Sequence, residues 1–311
     1  MFACLLTMAL SSSFRAEGGD TFTDPAAAGP DFAVQGEYAG KGSAAQVIAL
    51  GDGKFHIVGW TPGLPGTVDE VEKKVEVDAT RQGEKVVFDS DGWKGEIAGD
   101  TLAGTNKDGQ HYTLKKTERK SPTLGAKPPA GAIVLFDGKN ADAWQGGKVT
   151  PEGFLAAGVK SKQEFGDCTL HVEFRTPFMP NARGQARGNS GVYLQDRFEV
   201  QVLDSFGLKG ENNECGGIYT KHNPRINMCL PPLSWQTYDI DFTAARFDAE
   251  GKKISPAKIT AKHNGVLIHD GAEVSGETTA AGRKEGPTMG PIQLQNHGNP
   301  VVYRNIWIVV K

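Results

Sequence analysis

The stretch NSGVYLQDRFEVQVLDS, residues 189–205, predicts two antiparallel strands joined at residues 195–197. Side chains of a strand alternate between its two faces, so the apolar and polar residues of this stretch separate. The apolar side chains that share one face are Val192, Leu194, Phe198, Val200 and Val202. The polar side chains on the other face are Tyr193, Gln195, Glu199 and Gln201. One face can therefore enter a core, while the other offers a carboxylate, amides and a phenol for binding or chemistry.

The composition favours an all-β protein of one or two domains. The 311 residues are 38% hydrophobic and 23% charged, which is ordinary for a globular chain. Forty glycines and 17 prolines separate short runs rich in Val, Ile, Phe and Tyr, a pattern of strands and tight turns. No segment keeps a helical period of apolar residues, so we expect little helix.

Charge and the N-terminal residues bear on partners and location. The net charge of −3 provides no bulk field for nucleic acid or an anionic membrane, and neither is predicted as a partner. Residues 1–16 resemble a secretory signal, although the charged n-region is missing, and they are too short to span a bilayer. We therefore predict a secreted or periplasmic protein with no membrane span. Residues 17–31 are small, acidic and Pro-rich, and are predicted to be disordered.

The rest of the chain divides into three parts by pattern. Residues 32–117 contain short, regularly spaced strands and predict a small antiparallel β domain of unknown role. Residues 118–131 combine charge, prolines and glycine, which is typical of an interdomain linker. Residues 132–311 contain about ten candidate strands, enough for a larger domain of two packed antiparallel sheets.

Two cysteines flank a loop that contains glycine and proline. Cys215 and Cys229 are 14 positions apart (229 − 215), and in an oxidising compartment a bridge between them would contribute about 3 kcal/mol. The alternative is a pair of buried free thiols. We predict a disulfide, and because the spacing lacks CxxC pairs, no metal site is predicted.

A second polar ridge follows from the sequence IQLQNHG, residues 292–298. Gln293, Gln295 and His297 fall on one face, and the imidazole of His297 could move protons near neutral pH. The alternative is an ordinary hydrophilic outer face of a sheet. If the two ridges meet, they form a shared binding surface.

Three further observations concern single residues. His222, in the loop between the two cysteines, could rim a cleft or belong to an ordinary polar loop. Arg304 lies among apolar neighbours and needs a carboxylate partner or an anionic ligand, and Glu199 is one candidate partner. A retaining glycosidase needs two carboxylates about 5 Å apart, but the position beside Glu199 on its face is Gln201. The ordinary two-carboxylate mechanism is therefore poorly supported.

An ordered set of motifs runs through the second part of the chain: GAIVLFDGKNADAWQ, GNSGVYLQDRFEVQVLDS, GGIYTKHNP, WQTYDIDF, an NGV hairpin and GPIQLQNHGNPVVYRNIWI. This set resembles the 3-keto-disaccharide hydrolase domain family over about residues 130–311. The resemblance implies a concanavalin A-like jelly roll of two antiparallel sheets with a ligand cleft on its concave side. It also implies an exported enzyme that cleaves glycosides whose sugar C3 is a ketone. Such a ketone acidifies the hydrogen on C2, so one base can start an elimination that water completes.

We hypothesise that Glu199 or His297 is the catalytic base in this scheme. Arg304, Gln201, Gln293 and Gln295 would bind the keto-sugar, and Tyr193 or His222 would donate a proton to the leaving group. The competing hypothesis is a carbohydrate-binding or cell-surface module without catalysis, since jelly rolls serve both purposes. Calcium sites occur in such folds, but no Asp and Asn cluster predicts one here, and no cofactor is predicted. The sequence does not indicate an oligomeric state.

Overall fold

The computed structural model describes residues 15–16 and 19–311, with no account of the side chains of residues 15, 16 and 74. Most of the predicted signal segment lies outside these residues, so the signal and the export that it implies stay predictions. Within the described part of the chain, no helix is long and apolar enough to cross a membrane.

The first described elements are short. They are β1 (Arg15–Ala16), β2 (Gly19–Asp20), a 3-10 helix (Pro25–Ala27) and α1 (Gly29–Val34). Contrary to the expected disorder, this segment is anchored at two points. The backbone of Phe22 exchanges two hydrogen bonds with Phe178, each 2.9 Å long. Asp31 accepts a hydrogen bond from the backbone of Gly53 and forms an ion pair of 2.9 Å with Arg81. Composition alone did not reveal these partners, because they lie far away in sequence.

Eight antiparallel strands then form a closed barrel in which each strand pairs with the next and the last pairs with the first. The strands are β3 (Gly36–Gly40), β4 (Ser43–Gly51), β5 (Lys54–Thr61), β6 (Glu72–Gln82), β7 (Lys85–Ser90), β8 (Trp93–Ala98), β9 (Thr101–Thr105) and β10 (His111–Thr117). Alternate side chains such as Tyr38, Phe55 and Val86 point inward and are buried. Helix α1 packs at one end of the barrel through Phe32, whose ring centroid lies 5.3 Å from that of Phe178.

The remaining strands build two larger sheets. In chain order they are β11 (Ile133–Phe136), β12 (Trp144–Gln145), β13 (Leu155–Ala156), β14 (Val159–Phe165), β15 (Cys168–Arg175), β16 (Ser190–Leu194), β17 (Phe198–Val202), β18 (Gln236–Thr243), β19 (Arg246–Phe247), β20 (Lys253–Ser255), β21 (Ala257–His263), β22 (Val266–Val274), β23 (Gly290–Leu294) and β24 (Val302–Val310), with a 3-10 helix at Gly184–Ala186. The first sheet has the order β11-β24-β15-β18-β21-β22, and β13 also pairs with β24. The second sheet has the order β12-β14-β23-β16-β17. Strands β19 and β20 form a separate ribbon.

One hydrophobic core holds the two sheets together. It contains Val172 and Phe174 of the first sheet and Val192, Val200 and Leu294 of the second, all without solvent exposure. Burying side chains of this size contributes about 1.5–3 kcal/mol each relative to exposure. The prediction of an antiparallel all-β protein is therefore confirmed.

The barrel and the two sheets are not separated by a free linker. Ile48 and Val58, on the outer wall of the barrel, belong to the same core as the sheets. The segment 118–131, expected to be a linker, also packs against both parts of the chain between residues 119 and 126. Arg119 donates a hydrogen bond of 2.7 Å to Glu37 of the barrel, and the hydroxyl of Ser121 lies 2.6 Å from that of Thr237 on β18.

Candidate active site

A two-residue turn fixes the hairpin of β16 and β17. Gln195 and Asp196 both have positive φ angles, 57° and 58°, and the backbone N–H of Arg197 donates to the carbonyl of Leu194 at 3.1 Å. Two positive φ values match the right-handed twist of the flanking strands. The turn places Tyr193 opposite Glu199, as the alternation of the sequence predicts for one face.

Strand β23 brings the second predicted ridge to the same face. It pairs with β16 on the side away from β17, with Gln293 opposite Tyr193. The backbone N–H of Gln295 donates to the carbonyl of Gly191 at 2.9 Å. We call the resulting surface the polar face. Its members from the sequence prediction are Tyr193, Glu199, Gln201, Gln293 and Gln295.

Hydrogen bonds connect the side chains of the polar face. The hydroxyl of Tyr193 donates to Oε2 of Glu199 at 2.7 Å and accepts from Nε2 of Gln295 at 3.2 Å. Nε2 of Gln201 donates to Oε1 of Gln185, which lies in the 3-10 helix before β16, at 3.1 Å. The hydroxyl of Tyr193 thus fixes the carboxyl group of Glu199, and hydrogen bonds to Tyr193 and Gln185 position the amides of Gln295 and Gln201.

Burial strongly perturbs the carboxyl group of Glu199. The residue is 1% exposed, and burial raises its pKa to about 8 although the hydrogen bond from Tyr193 acts in the opposite direction. Its Oε1 is buried without a hydrogen-bond partner in the described chain. A Cβ atom at Gly191, on the adjacent strand, would lie 2.0 Å from that oxygen, so glycine provides the room it occupies. Near neutral pH this group can both hold and release a proton.

Tyr219 is a further member of the polar face that the sequence analysis did not select. Its backbone N–H donates to the carbonyl of Glu199 at 3.1 Å, along the outer edge of β17. Ile218 pairs with Val200 and is fully buried in the core, so the next side chain, half-buried Tyr219, turns to the other face. Burial chiefly raises the pKa of Tyr193, and the nearby Glu199 and Tyr219 add to this effect. The alternation in GGIYT was the signal that could have identified it.

His297 lies in the loop that follows β23. Strand β23 ends at Leu294, so the alternation that placed His297 on the ridge does not extend to it. Its side chain is exposed and has no hydrogen-bond partner among the described residues. The loop is attached next to β16, because Oδ1 of Asn299 accepts a hydrogen bond of 2.7 Å from the backbone of Asn189.

Arg304 does not belong to the polar face. It lies on β24 of the first sheet, where its Nε donates to Oε2 of Glu173 at 2.7 Å, and its guanidinium lies 4.1 Å from the ring centroid of Trp235. The predicted need for a carboxylate partner was correct, but the partner is Glu173 and not Glu199. Sequence alternation gives the face of a strand and not the sheet to which the strand belongs.

Glu173 is the centre of a buried ion cluster under the segment 118–131. It also accepts hydrogen bonds from Asn305 and from the backbone of Gly125. His171 lies 3.6 Å from Glu173 and hydrogen-bonds to Asp239 at 2.6 Å. Burial opposes ionisation of Glu173, but the bonds from its neighbours outweigh it and hold its pKa at about 2. Burial would likewise lower the pKa of His171, but its carboxylate neighbours raise it overall.

His222 and the two cysteines also differ from expectation. Nε2 of His222 hydrogen-bonds to the backbone carbonyl of Glu273 at 2.8 Å, and none of its side-chain hydrogen bonds reaches the polar face. Cys215 and Cys229 are buried free thiols in contact with each other, so the predicted disulfide is absent. Cys215 also lies 3.2 Å from the hydroxyl of Tyr238. Spacing in sequence showed that the two residues could meet, but not that they would stay unbonded.

No group of three or more His, Cys, Asp or Glu side chains in the described part of the chain could hold a metal ion.

Comparison with known proteins shows that the part of the chain that contains this surface matches a protein family. Residues 131–309 match the model of the 3-keto-alpha-glucoside-1,2-lyase-like domain. The chain belongs to this family. The match covers both large sheets and the polar face, and it leaves the barrel outside. The predicted resemblance is therefore confirmed over the same part of the chain.

Two solved structures are similar to the chain. The chain is similar to a crystal structure of a candidate glycosyl hydrolase from Parabacteroides distasonis, with 34% identity and a TM-score of 0.55, covering 59% of this chain and 85% of that one. A second candidate glycosyl hydrolase from the same organism is 17% identical, with a TM-score of 0.42 and coverages of 58% and 93%. No curated protein matches the chain. The family and the first structure support a glycoside-processing enzyme.

Proposed function

We propose that this protein cleaves 3-keto-glycosides and that Glu199 is the base that removes the hydrogen on C2. The observation that carries the proposal is the buried carboxyl group of Glu199, with a pKa near 8 and one oxygen without a partner. A base with this pKa is stronger than an ordinary carboxylate and is still partly ionised near neutral pH. The family description, a lyase acting on a 3-keto-glucoside, agrees with this chemistry.

The proposed reaction has two stages. Glu199 takes the proton from C2, and the electron pair of the C2–H bond forms an enolate with the C3 ketone. The enolate then collapses to a C1=C2 double bond as the C1–O bond breaks, and the leaving oxygen takes up a proton. In the second stage water adds to C1 and a proton returns to C2, so the net change is hydrolysis of the glycosidic bond.

The amides of the polar face suit this reaction better than ordinary glycoside hydrolysis. Amide N–H groups of Gln201, Gln293 or Gln295 can donate to the enolate oxygen as its negative charge develops. Among the members of the polar face, Glu199 is the one carboxylate, whereas a retaining mechanism needs a pair about 5 Å apart. The polar face therefore offers one base with no second carboxylate among its members, and this supports elimination.

The arrangement of the sheets supports a concanavalin A-like jelly roll with the polar face as its ligand side. The two sheets are antiparallel and share one core, and the polar side chains of β16, β17 and β23 lie on the face turned away from that core. A jelly roll of this kind could also act as a lectin, the second class considered from the sequence.

The purified protein, incubated with a 3-keto-disaccharide, is expected to release its aglycone sugar. A substrate with deuterium on C2 should react several-fold more slowly if the C2–H bond breaks in the slow step. The matched control carries deuterium at another sugar carbon and should show no comparable effect. Binding of an unoxidised glycan without product would favour the lectin, while turnover with no solvent exchange and no isotope effect at C2 would contradict elimination.

His297→Ala is expected to reduce kcat less than tenfold. The side chain is exposed and lacks the buried setting of Glu199, so we assign it no proton transfer at C2. The rate of 3-keto-disaccharide cleavage by this variant is the measurement. A loss of about a hundredfold would instead make His297 the catalytic base, as the sequence alone allowed.

A further inference from the structure

The barrel contains a cavity that the proposed reaction does not use. Its volume is about 660 Å³, and it opens at the end of the barrel opposite to α1. Small-molecule sites occupy roughly 300–1,000 Å³, and eight-stranded barrels are wide enough to hold one small ligand. The turns that surround the opening lie at residues 41–42, 91–92 and 106–110.

Two glycines on neighbouring strands leave room for aromatic side chains that line the cavity. A Cβ atom at Gly95 would lie 2.7 Å from Cζ of Phe88, and one at Gly104 would lie 2.8 Å from the hydroxyl of Tyr112. The two aromatic rings therefore rest against the wall at positions where the neighbouring strand has no side chain. A Cβ at these positions would also meet the backbone of a neighbouring strand, 2.5 Å from the carbonyl oxygen of Ala103 for Gly95 and 2.1 Å from that of Lys94 for Gly104, so larger residues would disturb the barrel wall as well as the rings.

Aromatic and apolar groups line the interior. Besides Phe88 and Tyr112 they include Trp93, Ile57, Val77 and Leu102. The rings of Trp93 and Tyr112 lie 5.8 Å apart with an angle of 56° between their planes. The hydroxyl of Tyr112 has no hydrogen-bond partner among the described residues, and burial raises its pKa to about 12, so it remains a donor at neutral pH.

The mouth of the cavity carries more positive than negative charge. Lys41 and Lys107 line it and are exposed, and neither forms an ion pair with a described carboxylate. Asp108 is the acidic residue of the lining. The amides of Asn106 and Gln110 hydrogen-bond to each other within their own turn, at 3.0 Å, and are less available to a ligand.

We propose that this cavity binds a small aromatic molecule that carries an anionic group, with its ring packed against the adjoining rings of Trp93 and Tyr112 and its anion at Lys41 and Lys107. An aromatic ring gains from contact with the ring edges and faces that line the interior. A sugar of similar size would bury several hydroxyl groups against the aromatic and apolar groups of the interior, and each unpaired hydroxyl is costly.

The test is calorimetric titration of the whole protein with 2-naphthoate, using 2-naphthylmethanol as the uncharged match. We expect one saturable site for 2-naphthoate, weakened at least tenfold in Trp93→Ala and about threefold in Tyr112→Phe, which keeps the ring. The double variant Lys41→Met/Lys107→Met should weaken 2-naphthoate several-fold and leave 2-naphthylmethanol unchanged.

Lys94→Met is the matched control for the lysines. Lys94 follows Trp93 on β8 but lies on the outer wall, in an ion pair of 3.1 Å with Asp89, so its loss should not change affinity. Circular dichroism verifies that each variant is folded. The proposal is overturned if 2-naphthoate does not saturate the wild-type protein at millimolar concentration, if Tyr112→Phe and folded Trp93→Ala bind it as wild type does, or if a cello-oligosaccharide binds the barrel more tightly.

Discussion

Glu199→Gln is expected to lower kcat for a 3-keto-glycoside at least about a hundredfold and to increase the free energy of unfolding at alkaline pH by about 5 kcal/mol. The first effect follows because glutamine cannot accept the proton from C2. The second follows because the pKa of Glu199 is about 8 in the folded protein and 4.5 ordinarily. Below pH 4.5 both states are protonated. Between these two values the unfolded chain ionises first, so the wild type loses stability as pH rises.

Urea unfolding near pH 5 and near pH 9, together with kcat at each pH, measures both effects. The stability difference between the variant and the wild type should grow with pH, and wild-type kcat should rise up to about pH 8. Glu164→Gln is the matched control, because Glu164 lies on β14 of the same sheet in a half-exposed ion pair with Arg283. A variant that keeps its rate, with a stability difference independent of pH, would remove Glu199 from the mechanism.

Gly191→Ala disturbs the same carboxyl group without changing its chemistry. The new Cβ would lie 2.0 Å from Oε1 of Glu199, so the side chain must move, and we expect kcat to fall at least about tenfold. Gly286→Ala is the control, since its Cβ would meet one atom of Arg197 at 3.9 Å and no other closer than 4 Å. Equal rates in the two variants would show that the position of the Glu199 carboxyl does not limit turnover.

Glu173→Gln is expected to destabilise the protein by about 3 kcal/mol near pH 6, with little effect on KM. The substitution leaves Arg304 and His171 without the anion that both contact. The pKa of about 2 for Glu173 means that its contribution is present above pH 4.5 and is lost as pH falls toward 2. The raised pKa of His171 adds stability that is present below pH 6.5 and is lost as pH rises through the folded value. The two contributions overlap between about pH 4.5 and 6.5.

Urea unfolding across this pH range is the measurement. Glu96→Gln is the control, because the ion pair of Glu96 with Lys85 is about half exposed and should contribute less than about 1 kcal/mol. If Glu173→Gln and Glu96→Gln cost the same, the buried cluster adds no more than a surface ion pair does.

The sequence predicted most of the polar face because a strand has a period of two. Within β16 and β17 the period assigned every side chain to its face, and the two-residue turn then fixed Tyr193 opposite Glu199. The same rule placed Gln293 correctly, because β23 is a regular strand as far as Leu294, and Gln295 stays beside β16 because its backbone N–H donates to the carbonyl of Gly191. The depth of Glu199 and its shifted pKa were not predictable, because they depend on neighbours from other parts of the chain.

The errors have a common physical origin in contacts between distant parts of the chain. Arg304 was assigned to the wrong surface because alternation does not say which of two sheets a strand joins. The Pro-rich segment 118–131 was expected to be a linker because its composition resembles one, but Arg119 and Ser121 bind partners far away in sequence. Tyr219 was missed because it reaches the polar face through pairing at the edge of β17 and not through a strand of its own.

The barrel cannot be moved unchanged into another protein, because its outer wall contributes Ile48 and Val58 to the core of the two sheets. Excised after residue 117, it would present both side chains to water, and polar replacements would be required there before it could be grafted onto another enzyme. A relative that consists of the 131–309 part alone would lack Ile48 and Val58, and the core that they cover in this chain would need another cover. A Cβ at Gly207 would lie 2.5 Å from Ile48, and the φ of 77° disfavours any other residue there, so without the barrel the gap would have to be closed by side chains other than that of residue 207.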